Sequence, residues 1–230
     1  MNIFNRGESW LNKNDIIKML EYSGESYNDI EKNNPTGLIY NINDSITDVS
    51  YNIRLFKDVL VICFRGSDSE KDWSFNLDFH QKVIPYGNIK SDIRVHSGFL
   101  NAYKSKNVRN KIKSFINNDI KKIKLTGHSY GAALAILCAV DLQYNFCNKD
   151  YEVIVFGAPR VGNKAFRDSY NRRIFKTLRI ENKSDIVTKL PLRLMGYRHV
   201  GARLIIGNNF LFPSMKKHYL QEYYSNIWGV

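Results

Sequence analysis

The stretch from Lys122 to about Phe146 constrains the fold of this chain more than any other. A short apolar strand pattern, Lys122–Thr126, runs straight into Gly127-His128-Ser129-Tyr130-Gly131, and an Ala- and Leu-rich helical segment follows from Tyr130. A strand that becomes a helix within one turn needs glycine on both sides of the turn, because a Cβ there would strike the strand or helix beside it. A second stretch points the same way: Val59-Leu-Val-Ile-Cys-Phe64 is a continuous apolar run, the mark of a strand covered on both faces. Further strand patterns fall at Gly37–Ile42, Ser50–Phe56, Glu152–Phe156, Phe175–Ile180 and Arg203–Ile206, and helical ones at Asn14–Tyr22, Val95–Tyr103 and Val108–Asn118. Strands alternating with helices imply an α/β fold with a mainly parallel sheet and helices on both faces.

Composition bounds the class. The 230 residues are 43% hydrophobic and 13% aromatic, enough for a sizeable core and too much for a disordered chain. With 14 Gly, 5 Pro and no sustained heptads, collagen-like and coiled-coil architectures are excluded. No composition shift marks a boundary, so one domain is expected over residues 1–230, with 1–35 as an N-terminal helical segment. The net charge of +12 points to an anionic partner, nucleic acid or an acidic membrane surface. No recognised nucleic-acid motif accompanies it, and the runs Lys104–Lys113 and Lys121–Lys124 read first as helix surface and strand edge. The three cysteines, Cys63, Cys138 and Cys147, are odd in number and lack CxxC spacing, so reduced thiols are expected and neither disulfide nor metal site. The first ten residues lack an apolar signal core, and the longest apolar run, Ala132–Val140, is far short of the roughly 20 residues of a spanning helix. A cytoplasmic location is the expectation from these features.

Ser129 would sit at the tip of the turn and at a helix N-terminus, where developing negative charge is favoured. A serine hydroxyl is a poor nucleophile without a base, and the base needs an orienting carboxylate. In folds that present a serine on such an elbow the chain order is Ser, then Asp or Glu, then His. Asp185 follows the strand pattern Phe175–Ile180, where sheets of this kind carry functional loops, and only His199 and His218 come after it. Spacing alone leaves those two histidines open.

The residues resemble the class 3 (fungal-type) lipases of the α/β-hydrolase superfamily. The resemblance runs in order through Phe64-Arg-Gly-Ser-Asp68 with Trp73, Val95-His-Ser-Gly-Phe99, Gly127-His-Ser-Tyr-Gly131, Phe156-Gly-Ala-Pro-Arg-Val-Gly-Asn163, and Asp185-Ile-Val-Thr-Lys-Leu-Pro191 with Gly196-Tyr-Arg-His-Val-Gly201. It implies Ser129 as nucleophile, Asp185 as acid and His218, followed by Tyr219, as base, with His199 as the alternative base. His199, His96 and His128 would then be structural. It also implies an oxyanion hole from the backbone N–H of Ser67 and of Tyr130, and a substrate-facing lid at Trp73. No cofactor is implied. The implied activity is hydrolysis of acylglycerol or phospholipid esters; the net charge of +12 adds the expectation of peripheral contact with an anionic membrane surface, and no obligate protein partner is expected. A catalytically silent lipid-binding relative is the alternative.

Departures from the family pattern carry expectations too. Asn76 stands where members commonly have Asp after the lid tryptophan, removing an ion pair that could latch a lid. Trp73, Phe75, Leu77 and Phe79 alternate at period two, which reads as strand, so any lid helix would be brief, around Ser69–Ser74. Secreted members use a signal peptide and disulfides, and neither is expected here.

Overall fold

Successive side chains of Val59–Phe64 enter two different cores, and that alternation organises the molecule. The computed structural model describes residues 11–28, 38–66, 80–83, 90–208 and 212–229. On one face Leu60, Ile62 and Phe64 pack with Ile123, Leu125, Val153 and Val155. On the other, Val61 and Cys63 pack with Ile154, Phe156, Leu178 and Ile180. Only a strand with helices on both faces is buried in this way.

Seven strands form the main sheet. They are β1 (Leu38–Asp44), β2 (Val49–Phe56), β3 (Val59–Phe64), β6 (Lys122–His128), β7 (Asp150–Phe156), β9 (Thr177–Asn182) and β11 (Ala202–Ile206), side by side in that order. β1, β2 and β3 pair antiparallel, and from β3 to β11 every pairing is parallel. The parallel pairs share one direction, so the loops after β6, β7 and β9 leave the same edge of the sheet. A smaller antiparallel sheet joins β4 (Gln81–Val83), β5 (Arg94–His96), β8 (Gly162–Asn163) and β10 (Tyr197–Arg198). Nothing in its two- and three-residue strands makes it legible in the sequence.

The first core lies under α2 (Ser97–Tyr103), α3 (Lys106–Lys113), α4 (Tyr130–Asn145) and α5 (Lys164–Arg173). α4 is buried without interruption from Gly131 to Ala139, because the sheet lies beneath it and α2 and α5 flank it. The second core lies under α1 (Lys13–Glu25) and α6 (Leu220–Ile227). Asn12 caps α1 by accepting from the Asp15 N–H at 2.8 Å. Ile16, Met19 and Leu20 face the sheet, each burial worth about 1.5–3 kcal/mol.

Several boundaries differ from the sequence expectations. The helix expected to reach Asn118 stops at Lys113, because the Asn117 side chain turns the chain by accepting from the Asp119 and Ile120 N–H groups. The strand expected at Phe175–Ile180 begins at Thr177, leaving Phe175 exposed, and runs on to Asn182. Neither α5 nor α6 was expected. Of the N-terminal helical segment, residues 1–10 and 29–35 lie outside the described residues, as do Trp73, Asn76 and the expected lid helix.

Part of each basic run is absorbed by packing, while Lys104, Lys106, Lys111 and Lys121 stay exposed. Lys122 and Lys124 both bind the buried Glu152 across the β6–β7 pair, at 2.7 and 3.0 Å, while Arg109 and Lys113 pair with Asp141 of α4 at 2.7 and 3.2 Å. Cys63 and Cys138 are buried and Cys147 is exposed, all three as free thiols. No helix among the described residues is long and apolar enough to cross a membrane.

Candidate active site

Ser129 joins β6 to α4 with φ 59° and ψ −124°, a region a non-glycine residue enters at a cost of order 1–3 kcal/mol. The conformation is held from both sides: the Ser129 N–H donates to Phe156 O on β7 at 3.0 Å, and Ser129 O accepts from Ala132 N–H at 3.0 Å. A Cβ on Gly131 would lie 2.3 Å from Phe64 O and 2.7 Å from Arg65 O, and one on Gly127 would lie 2.6 Å from the Gly131 carbonyl carbon. These neighbours are backbone and cannot swing away, so the elbow can form only with glycine at both positions. The outcome is a serine lifted off the end of a parallel strand at the N-terminus of a sixteen-residue helix.

Asp185 lies in the loop after β9, fully buried. Its carboxylate accepts three hydrogen bonds: from His218 Nδ1 at 2.7 Å, Tyr223 Oη at 2.5 Å and Val187 N–H at 2.8 Å. A buried carboxylate needs such partners to replace its lost hydration. The loop is fixed by a parallel bridge between Asp185 and Ser214 and by the Ser214 N–H donating to Ser184 O at 2.8 Å. His218, also buried, closes the 3-10 turn Lys216–His218, and Nδ1 donation to Asp185 directs its chemistry to Nε2. Gly157, at φ +58°, lies against the ring; a Cβ there would come within 2.9 Å of His218 Cε1.

The other histidines are engaged elsewhere. His199 Nε2 donates to Thr188 O at 2.8 Å and stands 3.7 Å from Glu181. Burial, with Arg179 nearby, keeps it neutral by pushing its pKa well below the ordinary value. Asp185 thus bonds His218 and not His199. His96 caps α2, its Nδ1 accepting from Gly98 N–H at 3.1 Å, and burial lowers its pKa to about 4. His128 stacks on His218 with ring centroids 4.6 Å apart. It donates from Nε2 to the His218 carbonyl at 2.8 Å and accepts at Nδ1 from Tyr27 Oη at 3.1 Å. Burial first, and the proximity of His218 second, push its pKa well down. A neutral imidazole therefore ties the His218 backbone to the elbow.

Of the oxyanion donors expected from the sequence, Tyr130 opens α4, where helical N–H groups lack intrahelical acceptors, and its ring meets Phe99 edge-on at 5.7 Å. Ser67 and the lid residue Trp73 lie outside the described residues. Arg65 and Gly66, just before Ser67, abut the elbow: Arg65 O is one of the atoms nearest Gly131, and a Cβ on Gly66 would lie 2.9 Å from His128 O. Sequence reasoning missed Tyr223 and Tyr27. A tyrosine five residues beyond a histidine carries no signal that separates a carboxylate's donor from a core aromatic such as its neighbour Tyr224.

The family model described as Lipase (class 3) matches residues 61–195, which contain the elbow, the Asp185 loop, strands β6, β7 and β9 of the main sheet and most of β3. The chain belongs to the class 3 lipases. It is 34% identical over 155 residues to phospholipase A(1) DAD1 of Arabidopsis thaliana, covering 60% of this chain and 35% of that protein. It is 33% identical over 158 residues to a lipase of Rhizomucor miehei, covering 65% of this chain and 42% of that protein. The chain thus spans well under half the length of these curated relatives. Among solved structures it superposes on a triacylglycerol lipase described as having a serine protease triad at its catalytic centre. The TM-score there is 0.74 at 25% identity, covering 89% of this chain and 92% of that one. A structure of the Rhizomucor miehei triacylglyceride lipase matches with TM-score 0.71 at 26% identity over 85% of this chain and 80% of that one. These neighbours are α/β-hydrolase lipases, and the mostly parallel sheet with its elbow is their architecture.

Proposed function

We propose that this class 3 lipase is a serine hydrolase that cleaves carboxylic esters of acylglycerols or phospholipids through an acyl-enzyme. The observation that supports this most is the bond from His218 Nδ1 to the buried Asp185, made on the loops that flank the strained Ser129 elbow. His218 accepts the Ser129 Oγ proton at Nε2 as Oγ attacks the ester carbonyl carbon. The oxyanion is met by the Tyr130 N–H and, on the family likeness, that of Ser67; one such donor is typically worth about 3–4 kcal/mol in the transition state. The intermediate collapses by breaking the carbon–alkoxide bond, and His218 returns the proton to the leaving alcohol. Water then repeats the cycle on the acyl-enzyme. Asp185 holds the imidazole tautomer and stabilises its charged form, while His128 and Tyr223 position base and acid. The chemistry needs no cofactor.

The lipid class follows from the relatives, which include phospholipases A1 and acylglycerol lipases. The net charge of +12 would favour contact with an anionic lipid surface, a cytoplasmic setting fits the free thiols, and one α/β-hydrolase unit accounts for both cores. The test is hydrolysis of p-nitrophenyl esters by purified protein. Ser129→Ala should abolish turnover with the fold intact, and His218→Ala should cost far more kcat than His199→Ala. Near wild-type turnover by Ser129→Ala would remove the assignment. Absent turnover by the wild type on every chain length would leave a lipid binder instead.

A further inference from the structure

We infer that the loop Pro191–Gly196 is a lipid-docking tip that seats the chain on an anionic bilayer surface beside its active site; this rests on, and deepens, the lipid-esterase reading. Leu194 is 97% exposed, the highest value among the large apolar side chains of the described residues, with Leu192 at 48% and Met195 at 44% beside it. The 3-10 turn Arg193–Met195 buries none of its residues. Exposed aliphatic residues singly need no explanation, but three in four consecutive positions form a contiguous apolar point.

The exposure is built. Arg160, itself buried, donates its guanidinium to the carbonyls of Lys189 and Pro191, and its N–H to Leu190 O at 2.7 Å. Gln81 Nε2 donates to Met195 O at 3.3 Å, and Arg198 Nη1 to Arg193 O at 2.8 Å. Both stems of the loop are therefore clamped, so inserting its side chains costs little further ordering.

Charge selects the occupant. From Lys183 to Arg203 the cations are Lys183, Lys189, Arg193, Arg198 and Arg203, and the only acid is Asp185, which is buried. A neighbouring loop, bridged to Asp185 through Ser214, presents the exposed Phe212 and Lys216, and exposed Tyr219 directly follows His218. Protruding aliphatics flanked along the chain by these cations, with no exposed acid between Lys183 and Arg203, suit an anionic bilayer, whose headgroups neutralise the cations while its acyl region takes the leucines. The tip begins six residues after Asp185, and the second loop runs on into His218, so docking brings lipid esters to the proposed site.

The experiment is co-sedimentation with vesicles of phosphatidylglycerol and phosphatidylcholine, against pure phosphatidylcholine, in the Ser129→Ala background so that lipid is not consumed. The Ser129→Ala protein should bind the anionic vesicles more tightly. Adding Leu194→Ser should weaken that binding about tenfold or more. Adding Lys189→Gln, Arg193→Gln and Arg198→Gln should each weaken it about fivefold on anionic vesicles only, with the difference shrinking in high salt. Circular dichroism and thermal melts check that each variant folds. Equal binding with and without Leu192→Ser, Leu194→Ser and Met195→Ser, or no anionic preference, would overturn the proposal. Loss on Leu194→Ser of a concentration-dependent dimer would assign the tip to a second copy of the chain and overturn it too. Because binding is read without turnover, a chain that docks but hydrolyses nothing loses the esterase reading alone.

Discussion

Replacing Tyr223 by Phe tests whether the buried acid depends on its neighbour as the geometry requires. The hydroxyl donates to Asp185 Oδ2 at 2.5 Å and accepts the Asn182 N–H at 3.1 Å, and the residue is fully buried. Deleting it removes a hydrogen bond to a charged group, worth about 1.5–3 kcal/mol, and strands the Asn182 amide, a cost of about 1–3 kcal/mol. Local relaxation makes these overlap, so about 3 kcal/mol is expected in total. For a chain of 230 residues that lowers Tm by roughly 6–12 °C. Asp185 keeps His218 Nδ1 and the Val187 N–H, so ester turnover should persist, reduced chiefly in kcat. Guanidinium unfolding at neutral pH, with ester kinetics alongside, measures both effects. Tyr224→Phe is the control, because among the described residues the Tyr224 hydroxyl donates to Leu20 O, at 3.1 Å, and to no charged group, and should cost under about 1 kcal/mol. If Tyr223→Phe were no more destabilised than that control, Asp185 would not be relying on the hydroxyl and the account of the buried acid would be wrong.

Gly131→Ala should destabilise by several kcal/mol and lose esterase activity, since its Cβ would meet Phe64 O at 2.3 Å; a stable, active variant would contradict the close approach of β3 to the elbow. His128→Phe keeps a stacked ring but drops the donor to the His218 carbonyl. It should lower kcat by up to about 100-fold with little change in KM, and unchanged kcat would strike His128 from the positioning of the base. Stability should fall on acidification. His96, His128 and His199 have folded pKa values below their ordinary 6.5, so the unfolded chain binds more protons, and their contribution is present above about 6.5 and lost below it. The expected slope reaches about 1.4 kcal/mol per pH unit for each histidine, and a flat denaturation midpoint from pH 7 to 5 would refute it.

The parallel sheet was legible because burial on both faces writes itself into the chain as runs such as Val59–Phe64, and the elbow because its glycines are a steric necessity. Ser129 and Asp185 could be proposed as nucleophile and acid from residue type beside a strand end. The partner of Asp185 could not: His199 and His218 both follow it, and only the family likeness favoured one. What separates them is a hydrogen bond spanning 33 residues, which leaves no trace in local pattern. The small sheet and α6 escaped for a similar reason, their strands being too short for periodicity and their order coming from packing.

The linear chain by itself determined the alternation of strands and helices, the glycine-flanked turn that lifts Ser129, and the excess of cations. Each of these depends on residue type and near neighbours. Only the tertiary structure decided which histidine faces Asp185, that Tyr223 bonds Asp185 and His128 bonds the His218 carbonyl, and that Lys122, Lys124, Arg109 and Lys113 are spent on internal carboxylates. It also decided that Leu192, Leu194 and Met195 are clamped outward rather than buried. These are distances between residues far apart in sequence, and they exist only once two cores have closed on one sheet.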